Sequence, residues 1–190
     1  MSGAVVWFLR HGKTEGGARY WGRTDAALAA DGLRQMEEAT ANLAVDRIVT
    51  SPLQRCRTFA EHLSKRRGIP CHVELRLVEM DFGAWDGRAA HDIFAEDREA
   101  LERFWRDPLR HAPPGAEPLA EVAARLRAAC ADLCTIAAKQ RVLAVTHGGP
   151  IRVALCLLAG RPLERVAETE VPHASLHMID VSELARTVCA

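Results

Sequence analysis

Near the start of the chain an uninterrupted apolar run, Ala4-Val5-Val6-Trp7-Phe8-Leu9, ends in Arg10-His11-Gly12. Its length and β-branched content read as a buried strand. A second run, Arg141-Val142-Leu143-Ala144-Val145-Thr146, is the strongest later strand and ends in a similar way, in His147-Gly148-Gly149-Pro150. Between and around them helical patterns alternate with strand patterns, which points to an α/β fold with a largely parallel sheet. The carboxyl edge of such a sheet is where ligands bind, so groups far apart in sequence can meet there.

The remaining elements follow from periodicity. A helix is expected from about Asp31, with Leu33, Met36, Ala39 and Leu43 on one face. Arg47-Ile48-Val49-Thr50 reads as a second strand. Ser51-Pro52-Leu53-Gln54 then opens a helix, with Ser51 as N-cap, Pro52 in the first helical position and Gln54 completing a capping box. Gly68-Ile69-Pro70 stops that helix, and Cys71–Leu75 is a third strand candidate. From Phe82 to about Gly115 the chain turns charged and helical, ending in Pro113-Pro114-Gly115, and reads as an insertion over the sheet. A long helix follows with Leu119, Val122, Leu126, Cys130, Leu133 and Ala137 on one face. Ile151–Ala159 is an almost wholly apolar helix stopped by Gly160 and Pro162, and Leu176–Val181 a last strand. The expected architecture is a three-layer α/β/α sandwich, mostly parallel, in one domain over residues 1–190 with a cap-like insertion at about 82–116.

Charge excludes some classes. Lys+Arg and Asp+Glu are both 25, so nothing draws the chain to nucleic acid or to an anionic membrane. No stretch is long and apolar enough to span a bilayer, and the amino-terminal run lacks a basic flank and a small-residue cleavage site, so a cytoplasmic protein is expected. The six cysteines, Cys56, Cys71, Cys130, Cys134, Cys156 and Cys189, form no CxxC pair. Three of them, Cys130, Cys134 and Cys156, lie in apolar helical patterns and read as core thiols.

Each main strand brings a functional group to its carboxyl end. The first carries Arg10 and His11, the second Arg55, the third leads to Glu79, and the strong later strand ends at His147 before a helix N-terminus at Gly148. Arg10 and Arg55 suit the oxygens of a phosphate dianion. The backbone N–H groups near Gly148 and the helix dipole favour an anion, and His147 can donate to the same phosphate. His11 can attack phosphorus when one ring nitrogen is unprotonated, and the flanking arginines disfavour its protonated form. A carboxyl group must then protonate the leaving alkoxide and later take a proton from water. Glu79, Glu74, Asp81 and Asp86 are the candidates. Arg57 lies about 200° round the helix from Arg55, so the two cannot share a pocket. This chemistry calls for no cofactor or metal. His173 and His177 have a four-residue spacing that suits a metal on a helix but not beside Pro172 at a strand. Trp21, Phe82, Trp85 and Trp105 are aromatic candidates for stacking a substrate ring, with core packing as the competing reading.

Leu9-Arg10-His11-Gly12-Lys13-Thr14-Glu15 resembles the RHG signature of the histidine phosphatase (phosphoglycerate mutase-like) superfamily. Ser51-Pro52-Leu53-Gln54-Arg55-Cys56 is similar to its arginine-bearing motif, Glu79-Met80-Asp81-Phe82-Gly83-Ala84-Trp85-Asp86-Gly87 to its acid-bearing motif, and Thr146-His147-Gly148-Gly149 to its second-histidine motif. The resemblance runs along nearly the whole chain. It implies His11 as phosphoryl acceptor, Arg10, Arg55 and His147 as phosphate ligands, Glu79 as proton donor over its rivals, and Thr14 as a hydroxyl contact. Trp21-Gly22-Arg23-Thr24-Asp25, Ser51–Ala60, Phe82–Gly87 and Pro113-Pro114-Gly115-Ala116-Glu117 resemble bacterial α-ribazole phosphatases of cobalamin synthesis. Arg23 and Glu117 are candidate substrate contacts, with a salt bridge as the competing reading. The pattern departs at Lys13, Gly17 and Ala116, where relatives carry Glu, Asn and Gly. The expected protein is a phosphomonoesterase for a small phosphorylated metabolite, probed first with α-ribazole 5′-phosphate, and a monomer or homodimer. The rival readings are a broad-specificity sugar or nucleotide phosphatase, a phosphoglycerate mutase-like phosphotransferase and, in another class, a non-catalytic phosphate-ligand-binding module.

Overall fold

The computed structural model describes residues 4–187, so Cys189 lies outside the described residues. In chain order the elements are β1 (Val5–Arg10), α1 (Ala30–Thr40), β2 (Arg47–Thr50), α2 (Gln54–Arg67), β3 (Cys71–Val73), α3 (Ala90–Glu96), α4 (Arg98–Arg106), α5 (Leu119–Ala137), β4 (Val142–Thr146), α6 (Gly148–Leu158), β5 (Leu176–Asp180) and α7 (Val181–Leu184). Short 3-10 turns occupy Leu75–Leu77, Gly83–Trp85 and Leu163–Glu168. The sheet order is β3-β2-β4-β1-β5, parallel except for β5, which runs antiparallel at the edge. The chain has an α/β fold with a mixed five-stranded sheet.

Side chains of one strand point alternately to the two faces, and both faces are covered. Val6, Phe8, Val142 and Ala144 pack with buried residues of α5 and α6 such as Leu126 and Ile151. Leu9, Ile48, Leu143 and Val145 pack on the opposite side with Met36 of α1 and Phe59 and Leu63 of α2. All five residues of β4 are buried, as a central strand between two helical layers requires. Among the described residues no helix is long and apolar enough to cross a membrane.

The opening of α2 differs from the capping box read from Ser51-Pro52-Leu53-Gln54. The helix starts at Gln54, with Leu53 in the N-cap position and no side-chain cap bond from it. Ser51 Oγ accepts the Leu53 N–H at 3.4 Å but lies closer, at 2.7 Å, to a histidine described below. The acceptor for the first turn comes instead from another loop: Asp25 Oδ1 accepts the Gln54 N–H at 2.6 Å. The C-terminal expectation holds, with Gly68 left-handed at φ 65°. The third strand is shorter than Cys71–Leu75, because a 3-10 turn begins at Leu75.

The loop after β1 is pressed onto the start of α1. A Cβ at Gly32 would lie 2.1 Å from the Lys13 carbonyl oxygen, and one at Gly12 would lie 2.2 Å from the Gly32 carbonyl oxygen. The two glycines allow backbone to touch backbone, which holds residue 11 at the sheet edge. Gly32→Ala must push the loop away, so it is expected to destabilise the protein by roughly 1–3 kcal/mol in urea denaturation and to lower turnover. An unchanged midpoint would mean that this contact does not hold the loop.

Candidate active site

Register brings the first two histidines together. β1 and β4 pair in parallel with Arg10 opposite Thr146, and the His11 N–H donates to the Thr146 carbonyl at 3.0 Å. His11 and His147 therefore leave adjacent strands at one level, and their rings stand edge to face with centroids 5.2 Å apart. β2 adds a third strand end, where the Ser51 N–H donates to Val145 O at 2.9 Å.

His11 is buried, and its Nδ1 lies 2.8 Å from the Gly12 carbonyl. A carbonyl only accepts, so Nδ1 carries the proton and Nε2 keeps its lone pair in the neutral ring. Burial first, then the charges of Arg55 and Arg10, hold the His11 pKa well below its ordinary value. Arg10 reaches the same spot from the end of β1. Its Nη1 donates to Val171 O at 2.5 Å and its Nη2 lies 3.2 Å from His173 Nε2. Its Nε is buried without a partner, and burial lowers its pKa to about 10.

Arg55 has no exposed surface. Nη1 donates to Thr24 O at 3.0 Å, Nη2 to Trp21 O and Gly22 O at 2.7 and 2.8 Å, and Nε to His147 Nδ1 at 3.2 Å. His147 Nδ1 is thus an acceptor, and its proton sits on Nε2, 2.7 Å from Ser51 Oγ. Burial and then Arg55 push the His147 pKa well below normal. The expectation that His147 offers an N–H to a ligand meets a ring with both nitrogens already engaged. Arg55 likewise has most of its donors on the 21–24 loop.

Glu79 does not come straight off a strand end. After β3 the chain crosses back over β4, held where Thr146 Oγ1 donates to Leu77 O at 2.6 Å and Arg125 donates to the carbonyls of Arg76, Val78 and Glu79. This places the buried Glu79 carboxylate on the first turn of α6, where both oxygens accept the Gly149 N–H at 3.1 and 3.2 Å. One donor expected for an anionic ligand is therefore taken by Glu79. A Cβ at residue 149 would sit 2.2 Å from Glu79 Oε1, which explains the glycine. The other candidate acids are committed elsewhere: Glu74 pairs with Arg76, Asp81 accepts from the Gly83 N–H, and Asp86 accepts from the N–H groups of Gly22, Arg23 and Thr24. Arg57 faces Glu61 and solvent.

Arg10, His11 and Glu79 line a cavity of about 540 Å³ together with Lys13, Thr14 and His173, while Arg55 and His147 lie buried outside that lining. Arg19 and Arg152 add two further cations, and Glu79 is the one carboxylate in the lining. Thr14, Lys13 and Gly17 all line it. Arg23 and Glu117 do not. They face each other at 3.4 Å, and Glu117 is gripped by Arg125 at 2.7 and 3.0 Å. The ion-pair reading of these two residues is the one seen, and the half-buried Arg125 guanidinium holds the carboxylate away from the cavity. Burial opposes and Arg125 outweighs it, leaving the Glu117 pKa below normal.

His173, Arg152, Ser51 and Arg125 were missed as site residues. His173 was weighed only as a metal ligand with His177. It is instead a rim residue against Arg10, its ring 5.5 Å from His11 and its pKa lowered to about 4 by burial and then Arg10. The ring of His177 bonds Ser175 Oγ, and among the described residues no group of three or more potential ligands is placed to hold a metal. Arg152 was hidden as an ordinary polar position on an apolar helix. Its i+4 spacing from Gly148, which puts it over the helix start, was the signal available.

The neutral rings link stability to acid. His11 and His147 have folded pKa values below the unfolded value of ~6.5, so the unfolded chain binds protons that the folded one refuses. Stability is then lost as pH falls below ~6.5, by up to ~1.4 kcal/mol per pH unit per ring, until the folded rings themselves protonate. Urea unfolding between pH 7 and pH 5 checks this, and His11→Asn should make the slope shallower by about one ring. An equal slope in the variant would mean that His11 is not held neutral.

Residues 6–188 match the family model of the histidine phosphatase superfamily, branch 1. The adenosylcobalamin/α-ribazole phosphatase of Escherichia coli (strain K12) is 26% identical over 188 residues, covering 96% of this chain and 93% of that protein. A bifunctional protein of Mycobacterium tuberculosis (strain ATCC 25618 / H37Rv) is 35% identical over 155 residues, 78% of this chain, which spans 42% of that protein's length. Among solved structures, a mycobacterial glucosyl-3-phosphoglycerate phosphatase superposes with a TM-score of 0.81 at 29% identity, over 92% of this chain and 88% of that one. Sequence and backbone thus agree over almost the same span, and the chain belongs to branch 1 of the histidine phosphatase superfamily as a phosphatase.

Proposed function

We propose that the protein hydrolyses a small phosphomonoester through a phosphate carried on His11. The observation that carries this reading is the neutral His11 ring, tied back through Nδ1 to Gly12 O and set beside the unpartnered Nε of Arg10. His11 Nε2 attacks phosphorus in line, the bond from phosphorus to the ester oxygen breaks, and Glu79 gives that oxygen its proton. Water then attacks the phosphohistidine, Glu79 takes back a proton from it, and the P–N bond breaks to free His11 and inorganic phosphate. Arg10 Nε and the remaining Arg55 N–H bind the phosphoryl oxygens whose charge grows in the transition state. Gly148 and Thr14 complete the contact, and His147 joins it by exchanging Ser51 for a phosphate oxygen. The leading substrate is α-ribazole 5′-phosphate. Its support is the likeness of the 21–25, 51–60, 82–87 and 113–117 stretches to α-ribazole phosphatases, together with the E. coli relative.

Quenching the enzyme in alkaline denaturant during turnover, which preserves an acid-labile P–N bond, followed by mass spectrometry at neutral to basic pH, is expected to place phosphate on His11 in the wild type and nowhere in His11→Ala. Phosphate on no residue, with turnover intact, would sink the mechanism. In the same assay α-ribazole 5′-phosphate should be preferred over p-nitrophenyl phosphate in kcat/KM. No preference would remove that substrate and leave the phosphohistidine route standing. Gly149→Ala tests the acid without touching it chemically. Its Cβ displaces the Glu79 carboxylate, so kcat should fall toward the about 10²–10⁴-fold loss of a missing general acid, with the urea midpoint little changed.

A further inference from the structure

A second, smaller recess of about 70 Å³ opens off the main cavity. A single water needs ~10–15 Å³ of such space, so the recess has room for several heavy atoms. Its walls are the side chains of Tyr20, Phe82, Phe104, Trp105, Leu119 and Val166. Charge is confined to Glu79 and Arg152, and those two residues, with Tyr20, Phe82 and Trp105, also line the main cavity. The recess therefore starts beside the carboxylate assigned to protonate the departing oxygen and runs away from His11 beneath α4.

Its walls are set in advance. Trp105 Nε1 donates to Tyr20 Oη at 2.8 Å. Tyr20 is itself packed against Phe82 and Trp85, with ring centroids 5.1 and 5.5 Å away. Trp105 is nonetheless 45% exposed. An indole fixed by a hydrogen bond and left open on one side offers a ready face for a flat partner. Arg152 donates from Nε to Thr169 O at 2.9 Å, and it and Glu79 stand where the recess meets the main cavity, so the rest of the recess is apolar.

We propose that this recess is a leaving-group subsite for a planar apolar ring, with Trp105 the residue that selects it, so that the substrate is the phosphate ester of an alcohol bearing such a ring. This rests on the reading of His11 and Glu79 as the reacting pair. The alcohol must leave past Glu79, and the recess is where it goes.

The test compares 2-phenylethyl phosphate with n-butyl phosphate. Both release simple primary alcohols, so the ratio of their kcat/KM values reports ring recognition rather than leaving ability. The wild type is expected to favour the ring ester by on the order of 10- to 100-fold. Trp105→Ala should reduce that ratio severalfold. Ala167→Phe, at a residue that also lines the recess, should bring it toward one even if Trp105→Ala fails to fold. A wild-type ratio near one, or a ratio unmoved by Ala167→Phe, overturns the subsite while phosphate on His11 keeps the phosphohistidine reading. Turnover of neither ester, with no phosphate on His11, overturns both.

Discussion

A guanidinium with no exposed surface stands at the centre of this site. A buried charge is costly unless its donors find acceptors, and Arg55 places four of its five N–H groups without a carboxylate. Three carbonyls of the 21–24 loop and one nitrogen of His147 surround it. That arrangement dictates what lies next to it. His147 must be neutral to accept from Arg55, so its other nitrogen carries the proton and turns to Ser51. His11, a ring away, sits in the same positive field and is held neutral as well. Burial, and after it the charge of Arg55, thus keep both imidazoles neutral.

The acid is placed by a different constraint. Nothing in the strand order leads to Glu79, since β3 is at the far edge of the sheet from β1. The connecting segment is carried back across β4 by the Thr146 hydroxyl and by Arg125, whose guanidinium collects the carbonyls of Arg76, Val78 and Glu79 and then closes on Glu117. The carboxylate ends on the N–H of Gly149, where the positive end of α6 receives it. Glutamate and glycine are coupled there by space, because any side chain at 149 would occupy the carboxylate's position.

Much of this was legible in one dimension. Apolar runs ending in Arg10-His11 and Thr146-His147 announce central strands because a strand covered on both faces has no polar alternation to disguise it. The C-terminal stop at Gly68 was legible for a similar local reason. The start of α2 was not. Ser51 has the chemistry of a cap, but its hydroxyl finds a stronger claim in His147, a residue 96 positions away, and Asp25 takes over the helix end. Which partner a charged side chain chooses depends on what folding brings within reach.

The sequence by itself determined the α/β class, the central strands, and the identities of the histidines, arginines and acid that meet at the sheet edge, because hydrophobic periodicity and motif order survive without knowledge of contacts. The tertiary structure decided which atoms are free. It tied His11 Nδ1 to Gly12 and closed both nitrogens of His147. It also turned His173 from a metal candidate into Arg10's neighbour, and Arg152 and Trp105 into cavity walls. Proton positions and side-chain partners are set by distances of about 3 Å between groups far apart in the chain, and no local pattern encodes those distances.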